Sequence, residues 1–189
     1  MKTTVEQIFF ESVAVKQETL KKSLPLIIKS AETVIEAFKS GHKLFFCGNG
    51  GSAADSQHIA AEFVGRFQKE RPAWPAIALT TDTSALTALG NDYTFDIVFS
   101  RQLQALGQKG DVLIAISTSG NSKNVLEAVK QAKKMGMKAI GMTGGSGGQL
   151  AGLCDIVIIA ASSKTARIQE SHLVIFHAIC ELVENNLTQ

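Results

Sequence analysis

Five short stretches of the chain are predominantly apolar, and helical patterns separate them. The apolar stretches are predicted strands at 44–47, 76–79, 112–116, 138–142 and 156–159. Apolar residues at helical spacing predict helices over about 52–64, 84–89, 94–106, 122–135, 147–152 and 167–186. Apolar strands that alternate with helices indicate a parallel sheet covered on both faces. The pattern therefore predicts an α/β fold, a three-layer α/β/α sandwich with a five-stranded parallel sheet.

The first forty residues precede this alternating part and are predicted to form two helices, over about 3–22 and 25–39. The second helix has an apolar stripe made of Ile27, Ile28, Ala31, Val34, Ile35 and Phe38. At 189 residues the chain is long enough for one domain with a sizeable core. We expect a single domain over 1–189, with the helices at about 3–39 packed on the sandwich or on a neighbouring subunit.

Composition and charge favour a small-molecule partner. The chain is 45% hydrophobic, its formal net charge is +2, and its lysines are scattered. Without a basic stripe, neither nucleic acid nor an anionic membrane is an expected partner. No apolar stretch approaches the length of a membrane span and no signal pattern is present, so we expect a cytoplasmic location. Cys47, Cys154 and Cys180 form no CxxC pair and are expected to be buried, reduced thiols.

A glycine turn follows the first predicted strand. The strand ends at Gly48-Asn49-Gly50-Gly51, and Ser52 opens an alanine-rich helix. Small residues let backbone N–H groups approach a ligand at a helix N-terminus, so this turn is predicted to hold an anion. In open parallel sheets, ligands bind beyond the carboxyl ends of the strands, which is where the turn lies.

The helix after the glycine turn carries His58 and Glu62. These residues are four apart, so a period of 3.6 residues places both side chains on one face. Such a pair suits either a metal site or acid–base catalysis. Reactive side chains are therefore expected close to the anion turn.

A serine turn follows the third predicted strand and has hydroxyls in place of glycines. Ser117, Thr118, Ser119 and Ser122 lie where the next helix begins. Hydroxyl donors together with the positive end of a helix dipole are typical of a pocket for a phosphate monoester. The alternative for Ser122 is a simple N-cap. Neither turn contains a lysine, so the Walker pattern is absent and phosphoryl transfer is not expected.

A dinucleotide site is the competing interpretation of the glycine turn. Gly48-x-Gly50-x-x-Ala53 fits the loose dinucleotide pattern, and Asp82 follows the second strand as a ribose-binding acid would. This interpretation leaves His58, Glu62 and the serine turn without a role. Asp82 is also a suitable helix N-cap, and we favour that role for it.

Two polar residues interrupt the last predicted helix, which is otherwise apolar. Gln169 and His177 need partners if they are buried there, so both are candidate ligands. With His58 and Glu62 they form a donor set suited to a zinc-type ion. Eight helical residues separate Gln169 from His177 by about 12 Å along the axis. Either Gln169 lies at a bent helix start, or two subunits each contribute, and we expect a site near a subunit interface.

Asn91 and Asp92 are a further polar pair, predicted to follow a short helix. They could bind sugar hydroxyls, and they could equally form a turn or a cap. Both interpretations remain open at the level of the sequence.

Four stretches together resemble the sugar isomerase (SIS) domain family, and within it the bacterial phosphoheptose isomerases. They are Cys-Gly-Asn-Gly-Gly-Ser-Ala-Ala-Asp-Ser-Gln-His-Ile-Ala-Ala-Glu, Gly-Asn-Asp-Tyr, Ile-Ser-Thr-Ser-Gly-Asn-Ser and Arg-Ile-Gln-Glu-Ser-His. They span almost the whole chain in the family's order. The resemblance implies a flavodoxin-like SIS fold and the isomerisation of sedoheptulose 7-phosphate to D-glycero-D-manno-heptose 7-phosphate, an entry step to lipopolysaccharide heptose synthesis.

The resemblance also implies roles for particular residues. It implies one Zn²⁺ per subunit, bound by His58, Glu62, Gln169 and His177, in a homotetramer with sites between subunits. It implies substrate contacts from Asn49, Gly50, Gly51, Asn91, Asp92, Ser117, Thr118, Ser119 and Ser122. Ser52, Glu62 and Gln169 are expected to complete the substrate-binding set.

An aldose–ketose isomerase needs groups that take a proton from one carbon and return it to its neighbour. Glu62 is our candidate base, and His177 is the candidate partner acid. The alternative is a non-enzymatic SIS protein that binds a sugar phosphate or a replication-initiator partner. In our interpretation such relatives lack the glutamate at 62 and the second glycine of the Gly50-Gly51 pair. This chain has both, which favours the enzyme.

Overall fold

Five parallel strands form the central sheet of the computed structural model, which describes residues 1–188. They are β1 (Leu44–Cys47), β2 (Ala76–Ala78), β3 (Val112–Ile116), β4 (Lys138–Gly144) and β5 (Ile156–Ala160). Their order across the sheet is β2-β1-β3-β4-β5. In the register, Phe45 of β1 lies between Ile77 of β2 and Leu113 of β3. The predicted strands and their parallel pairing are confirmed.

In the described part of the chain, six α-helices surround the sheet. They are α1 (Lys2–Lys39), α2 (Gly51–Val64), α3 (Thr83–Asp92), α4 (Val98–Leu106), α5 (Lys123–Lys134) and α6 (Thr165–Leu187). Two short 3₁₀ turns lie at Phe95–Ile97 and Gln149–Gly152. The first of these turns and α4 together occupy the range that was predicted as one helix over 94–106. Among residues 1–188, no helix is both long and apolar enough to cross a membrane.

The N-terminal segment is one long helix, so the predicted division into two helices is wrong. Pro25 lies inside α1, where it removes a backbone donor without ending the helix. The buried residues of α1 form one stripe that passes this proline without a shift in phase: Thr19, Ser23, Ile27, Ser30, Ala31, Val34 and Ala37. Burial of a continuous stripe therefore outweighs the local cost of the proline.

The core consists of two apolar layers, one on each face of the sheet. Leu44 and Phe46 of β1 point into the layer formed with α1, α2 and α6. Phe45 and Cys47, on the alternate positions, point into the layer formed with α4 and α5, and Leu86 and Leu89 of α3 pack against that layer. This alternation follows from the two-residue period of a strand. The three-layer prediction is thus confirmed.

The strand order fixes where a ligand can bind. The chain leaves β1 toward β2 on one side and reaches β3 on the other side, so the connections diverge beyond the carboxyl ends of β1 and β3. Sheets of this order bind their ligands in that crevice. The glycine turn after β1 and the serine turn after β3 both lie there.

Candidate active site

The glycine turn lets α2 begin close to the end of β1. Gly50 has a φ of +56°, a backbone conformation that residues other than glycine rarely adopt. A Cβ at Gly48 would lie 2.7 Å from the Cβ of Ser52. The backbone N–H of Ser52 donates to the carbonyl of Asn49 at 3.0 Å, which closes the turn. Asn49, Gly50, Gly51 and Ser52 are thereby gathered at the N-terminus of α2, where an anion is favoured.

The serine turn gathers its hydroxyls at the start of α5. Ser117 Oγ donates to Ser122 Oγ at 3.0 Å and lies 3.5 Å from Ser119 Oγ. Ser122 occupies the N-cap position of α5, but its side chain accepts no hydrogen bond from the helix. Its hydroxyl is directed to Ser117 instead. The simple capping role proposed for Ser122 is therefore not what its side chain does.

A second glycine-rich turn, at 144–148, supports the serine turn. The backbone carbonyl of Thr118 accepts a hydrogen bond from the backbone N–H of Gly144 at 3.1 Å. Gly120 has a φ of +68°, and a Cβ there would overlap the carbonyl oxygen of Gly147. A Cβ at Gly148 would lie 2.6 Å from the carbonyl oxygen of Ser119. The two turns pack backbone to backbone, which holds the serine hydroxyls in place.

A pair of side-chain amides connects the glycine turn to the serine turn. Asn49 Nδ2 donates to Asn124 Oδ1, and Asn124 Nδ2 donates to Asn49 Oδ1, both at 2.9 Å. Asn124 is buried and also accepts the backbone N–H of Val125 at 3.0 Å. Sequence reasoning missed Asn124. The signal was a polar residue inside the apolar stripe of α5, which is costly unless it finds partners.

His58, Glu62 and His177 lie together where α2 faces α6. His58 Nε2 and Glu62 Oε1 are 3.0 Å apart. The rings of His58 and His177 meet edge to face, with their centroids 5.2 Å apart. The centroid of the His177 ring also lies 5.6 Å from the centroid of the Phe67 ring. The helical spacing of His58 and Glu62 thus produces the predicted contact, and α6 brings an imidazole to it.

Gln169 lies elsewhere on α6, against the first residue of α2. A Cβ at Gly51 would overlap the Gln169 side-chain nitrogen, so only glycine lets this amide lie there. Because α6 already begins at Thr165, Gln169 does not occupy a bent helix start. It therefore remains about 12 Å along the axis from His177. Within one chain, the two α6 residues of the donor set face different parts of α2.

The donor set matches zinc in its chemistry, but its four members do not meet at one point within one copy of the chain. Imidazole and carboxylate are ligand types that zinc accepts, and His58, Glu62 and His177 supply them side by side. Among residues 1–188, no three His, Cys, Asp or Glu side chains converge closely enough to hold a metal ion. His58, Glu62 and His177 are chemically suited to form part of a metal site.

Asp55 shares the face of α2 that carries Gly51, His58 and Glu62. It is partly buried, and its Oδ2 has no hydrogen-bond partner among the described residues. Burial raises the pKa of this carboxyl above its ordinary value, and the nearby His58 opposes the rise. The sequence analysis did not single out Asp55, although its spacing from His58 and Gly51 follows the same helical face.

The remaining polar candidates differ in their surroundings. Asp82 is the N-cap of α3 and accepts the backbone N–H of Ala85 at 2.9 Å, so the favoured capping role is confirmed. Asn91 and Asp92 form the last turn of α3 instead of following the helix. They are exposed, and Asn91 Nδ2 donates to Asp92 Oδ1 at 2.9 Å. Both side chains are accessible to a ligand or to another subunit.

Comparison with known proteins gives consistent similarities. Residues 8–144 match the sequence profile of the SIS domain. The chain is 59% identical to a phosphoheptose isomerase of Campylobacter concisus over 82% of each chain. It is 53% identical to that of Roseiflexus sp. strain RS-1, over 93% of this chain and 89% of the relative. The solved phosphoheptose isomerase of Neisseria gonorrhoeae is 46% identical, with a TM-score of 0.93 over 97% of this chain and 98% of that one.

Proposed function

The chain belongs to the SIS domain family and, within it, to the phosphoheptose isomerases, and we propose that the site described above performs the isomerisation. The enzyme is an aldose–ketose isomerase that converts sedoheptulose 7-phosphate to D-glycero-D-manno-heptose 7-phosphate in heptose synthesis. Its product is proposed to enter lipopolysaccharide core synthesis. The observation that supports this site assignment is the cluster of His58, Glu62 and His177 between α6 and α2, the helix that begins at the glycine turn.

The reaction moves a carbonyl from C2 to C1 of the sugar. A base takes a proton from C1, the electrons form an enediolate, and a proton returns to C2. The site must therefore accept a proton, stabilise developing negative charge on oxygen, and let protons move between the two oxygens. A carboxylate next to two imidazoles provides groups for each of these tasks.

Glu62 is the proposed base. Its Oε1 is in contact with His58, whereas no hydrogen bond to Oε2 is formed by the described residues. One carboxylate oxygen can therefore be held while the other accepts the carbon-bound proton. A carboxylate that also binds a metal is a weaker base, and we propose that this division keeps Oε2 available for the proton.

His177 is the proposed acid that moves protons between the substrate oxygens. Its ring packs against the rings of His58 and Phe67, and these two contacts restrict its orientation. A fixed imidazole on the same side as Glu62 can exchange protons with the oxygens on C1 and C2. Substitution of His177 would leave the base intact but remove this exchange.

The serine turn is proposed to bind the phosphate of the substrate. Ser117, Ser119 and Ser122 direct their hydroxyls to one place. The first backbone N–H groups of α5 have no intrahelical acceptor, so they can donate to a phosphate there. Thr118 completes this turn. Asn49, Gly50, Gly51 and Ser52 are proposed to contact the sugar, and Asn91 and Asp92 to bind its hydroxyls.

One zinc ion per subunit is proposed to complete the site. His58, Glu62 and His177 would hold it, with Gln169 as a further ligand or substrate contact. When bound, zinc supplies a Lewis acid that polarises the carbonyl and hydroxyl oxygens of the substrate. Because Gln169 lies two helical turns from His177, we propose that a second subunit helps to complete each site.

An oligomer is also favoured by the apolar surface of the single chain. The N-terminal third of α1 exposes Val5, Ile8, Phe9, Phe10 and Val13. A groove of about 450 Å³ between α1 and α6 is lined by further apolar residues. Surfaces of this kind are typical of subunit interfaces, and a homotetramer is proposed. A cytoplasmic location is proposed because the three unpaired cysteines suit a reducing compartment.

The test of the function is an isomerisation assay with sedoheptulose 7-phosphate, in which the aldose product is followed by NMR. Product is expected with the protein as isolated, a loss after chelation, and a recovery when zinc is restored. Activity that survives complete removal of metal would contradict the zinc proposal alone. The absence of product with zinc present would contradict the function.

Glu62→Gln separates catalysis from binding. The amide keeps the size of the side chain but is a far weaker base, so kcat should fall by about a thousandfold or more. Binding of the sugar phosphate, measured by calorimetry, should stay within about tenfold of the wild type because the serine turn is unchanged. A Glu62→Gln enzyme with nearly wild-type kcat would show that another group is the base.

A further inference from the structure

The loop between α2 and β2 encloses a buried ion pair. Arg71, in this loop, places its Nε 3.3 Å from Oε1 of Glu184, near the end of α6. Each side chain is only 2% exposed. A buried ion pair is costly to desolvate, and it persists when additional hydrogen bonds satisfy both partners. Both partners here have such bonds, and these lead to the proposed catalytic residues.

Glu184 organises the loop. Its carboxylate accepts the backbone N–H groups of Phe67 at 3.1 Å, Gln68 at 2.8 Å and Lys69 at 2.9 Å. Burial alone would raise its pKa, but these three bonds and the bond from Arg71 lower the pKa below its ordinary value. The glutamate is thus an anion around which the chain turns.

Arg71 closes the end of α2. Its Nη2 donates to the carbonyl of Glu62 at 2.7 Å, and its Nη1 donates to the carbonyls of Phe63 at 2.8 Å and Gly65 at 3.1 Å. The last carbonyls of a helix have no intrahelical partner, and a cation is favoured there. Trp74 covers the guanidinium, with its ring 3.8 Å from Cζ. The final turn of α2, which carries Glu62, is therefore held by Arg71.

The same loop reaches His177. Phe67 donates its backbone N–H to Glu184 Oε1. The centroid of its ring lies 5.6 Å from the centroid of the His177 ring. One buried pair thus fixes the backbone of Glu62 through Arg71 and the ring beside His177 through Glu184. Neither Arg71 nor Glu184 belongs to the proposed set of substrate or metal contacts.

We propose that Arg71 and Glu184 are positioning residues for the isomerisation, which hold Glu62 and His177 in their mutual geometry. The proposal rests on the catalytic roles proposed for Glu62 and His177. Small displacements of a catalytic group can lower kcat by up to about a hundredfold, whereas the phosphate turn after β3 is distant in sequence and should keep its affinity. The signature is a fall in kcat at nearly constant KM.

The experiment compares Arg71→Lys and Glu184→Gln with a matched control, Asp111→Asn. Asp111 is also buried, accepts two backbone N–H groups and pairs with Lys43 Nζ at 2.9 Å, but these bonds involve Lys43 and Gln108 and none of them reaches α2, α6 or the loop between α2 and β2. All variants are assayed well below their unfolding temperatures. We expect kcat to fall at least about tenfold in Arg71→Lys and Glu184→Gln, with KM within about threefold, and kcat to stay within about twofold in Asp111→Asn.

Equal losses of kcat in all three variants, or a change in KM alone, would overturn the proposal. If Arg71→Lys and Glu184→Gln do not fold, Phe67→Leu decides, because it keeps the ion pair and the backbone bonds but removes the ring beside His177. A fall in kcat of about fivefold or more supports the proposal, and an unchanged kcat overturns it. A wild-type protein without isomerase activity would instead overturn the proposed function, and this arm distinguishes the two failures.

Discussion

At the scale of single residues, the missing side chain of Gly51 determines where Gln169 can lie. Gly51 is the first residue of α2 and its φ is an ordinary negative one, so its backbone does not require glycine. The requirement comes from across the helix interface, because a Cβ there would overlap the Gln169 amide. Glycine is thus required at 51 because a side chain would have no space. At 50 it is required because the backbone φ is positive.

Gly51→Ala should therefore displace Gln169 without disturbing the fold. We expect a loss of kcat of about tenfold or more and weaker retention of zinc, while the unfolding temperature changes little. Activity, metal content and thermal unfolding measure these three effects. Gly152→Ala is the control, because a Cβ at Gly152 meets nothing within 4 Å. Wild-type activity in Gly51→Ala would show that the Gln169 amide is not needed.

His172 should make the fold less stable in acid. It is fully buried on α6, and burial lowers its pKa to about 4, although a contact of 3.0 Å with the Thr143 carbonyl opposes this shift. The unfolded chain, with a His pKa near 6.5, binds the proton more readily. The free energy of unfolding is therefore highest above pH 6.5. It decreases as the pH falls toward 4, by on the order of 3 kcal/mol in total.

Unfolding by denaturant between pH 7.5 and pH 4.5 measures this loss. A His172→Gln variant has no titrating group at this position, so its free energy of unfolding should fall less steeply over the same range. Carboxylates contribute to both proteins alike and cancel in the comparison. Identical slopes for wild type and variant would show that His172 is not the group responsible.

Residue positions were predictable where the signal is local. Four-residue spacing was enough to place His58 beside Glu62, and the apolar surroundings of Gln169 and His177 marked them as unusual. Contacts between residues far apart in the chain were not predictable in this way. The Asn49–Asn124 pair spans 75 residues and the Arg71–Glu184 pair spans 113, and only the assembled fold brings such side chains together.

At the scale of the elements, the strands were predicted more accurately than the helix ends. The strands are buried on both faces, so their apolar runs mark their limits closely. Helix ends depend on capping, and α3 continues through Gly90 to Asp92 although a glycine commonly marks the end of a helix. The long helix α1 shows the opposite limit, since the packing of its buried stripe overrides the stop signal at Pro25.

The packing of the serine turn against the turn at 144–148 predicts a strong effect of Gly120→Ala. Its positive φ and the overlap with Gly147 would force the two turns apart. We expect affinity for the sugar phosphate to fall at least about tenfold, because the hydroxyls of Ser117 and Ser122 would no longer converge. Calorimetric titration measures this, again with Gly152→Ala as the control. Unchanged affinity would place the phosphate elsewhere.

At the scale of the whole molecule, two features of the single chain favour an oligomer. Its N-terminal helix exposes large apolar side chains, with Phe9 at 68% and Phe10 at 73% exposed, which is unfavourable unless another surface covers them. Its donor set also divides between two levels of the α2–α6 interface. We propose that a second copy of the chain accounts for both, by covering the apolar surface and by contributing to the proposed metal site.

Mixing two inactive variants tests whether sites are shared. If each site uses Glu62 of one subunit and Gln169 of another, oligomers mixed from Glu62→Gln and Gln169→Ala chains contain some sites with both wild-type residues. Equal mixing after reversible dissociation should then restore up to about a quarter of the wild-type activity for pairwise sharing. If both residues serve the same chain's site, every site in the mixture carries one substitution and activity stays at the level of the separate variants. Each chain in the mixture carries only one of the two wild-type residues. Recovery can therefore arise only where residues of two subunits meet in one site.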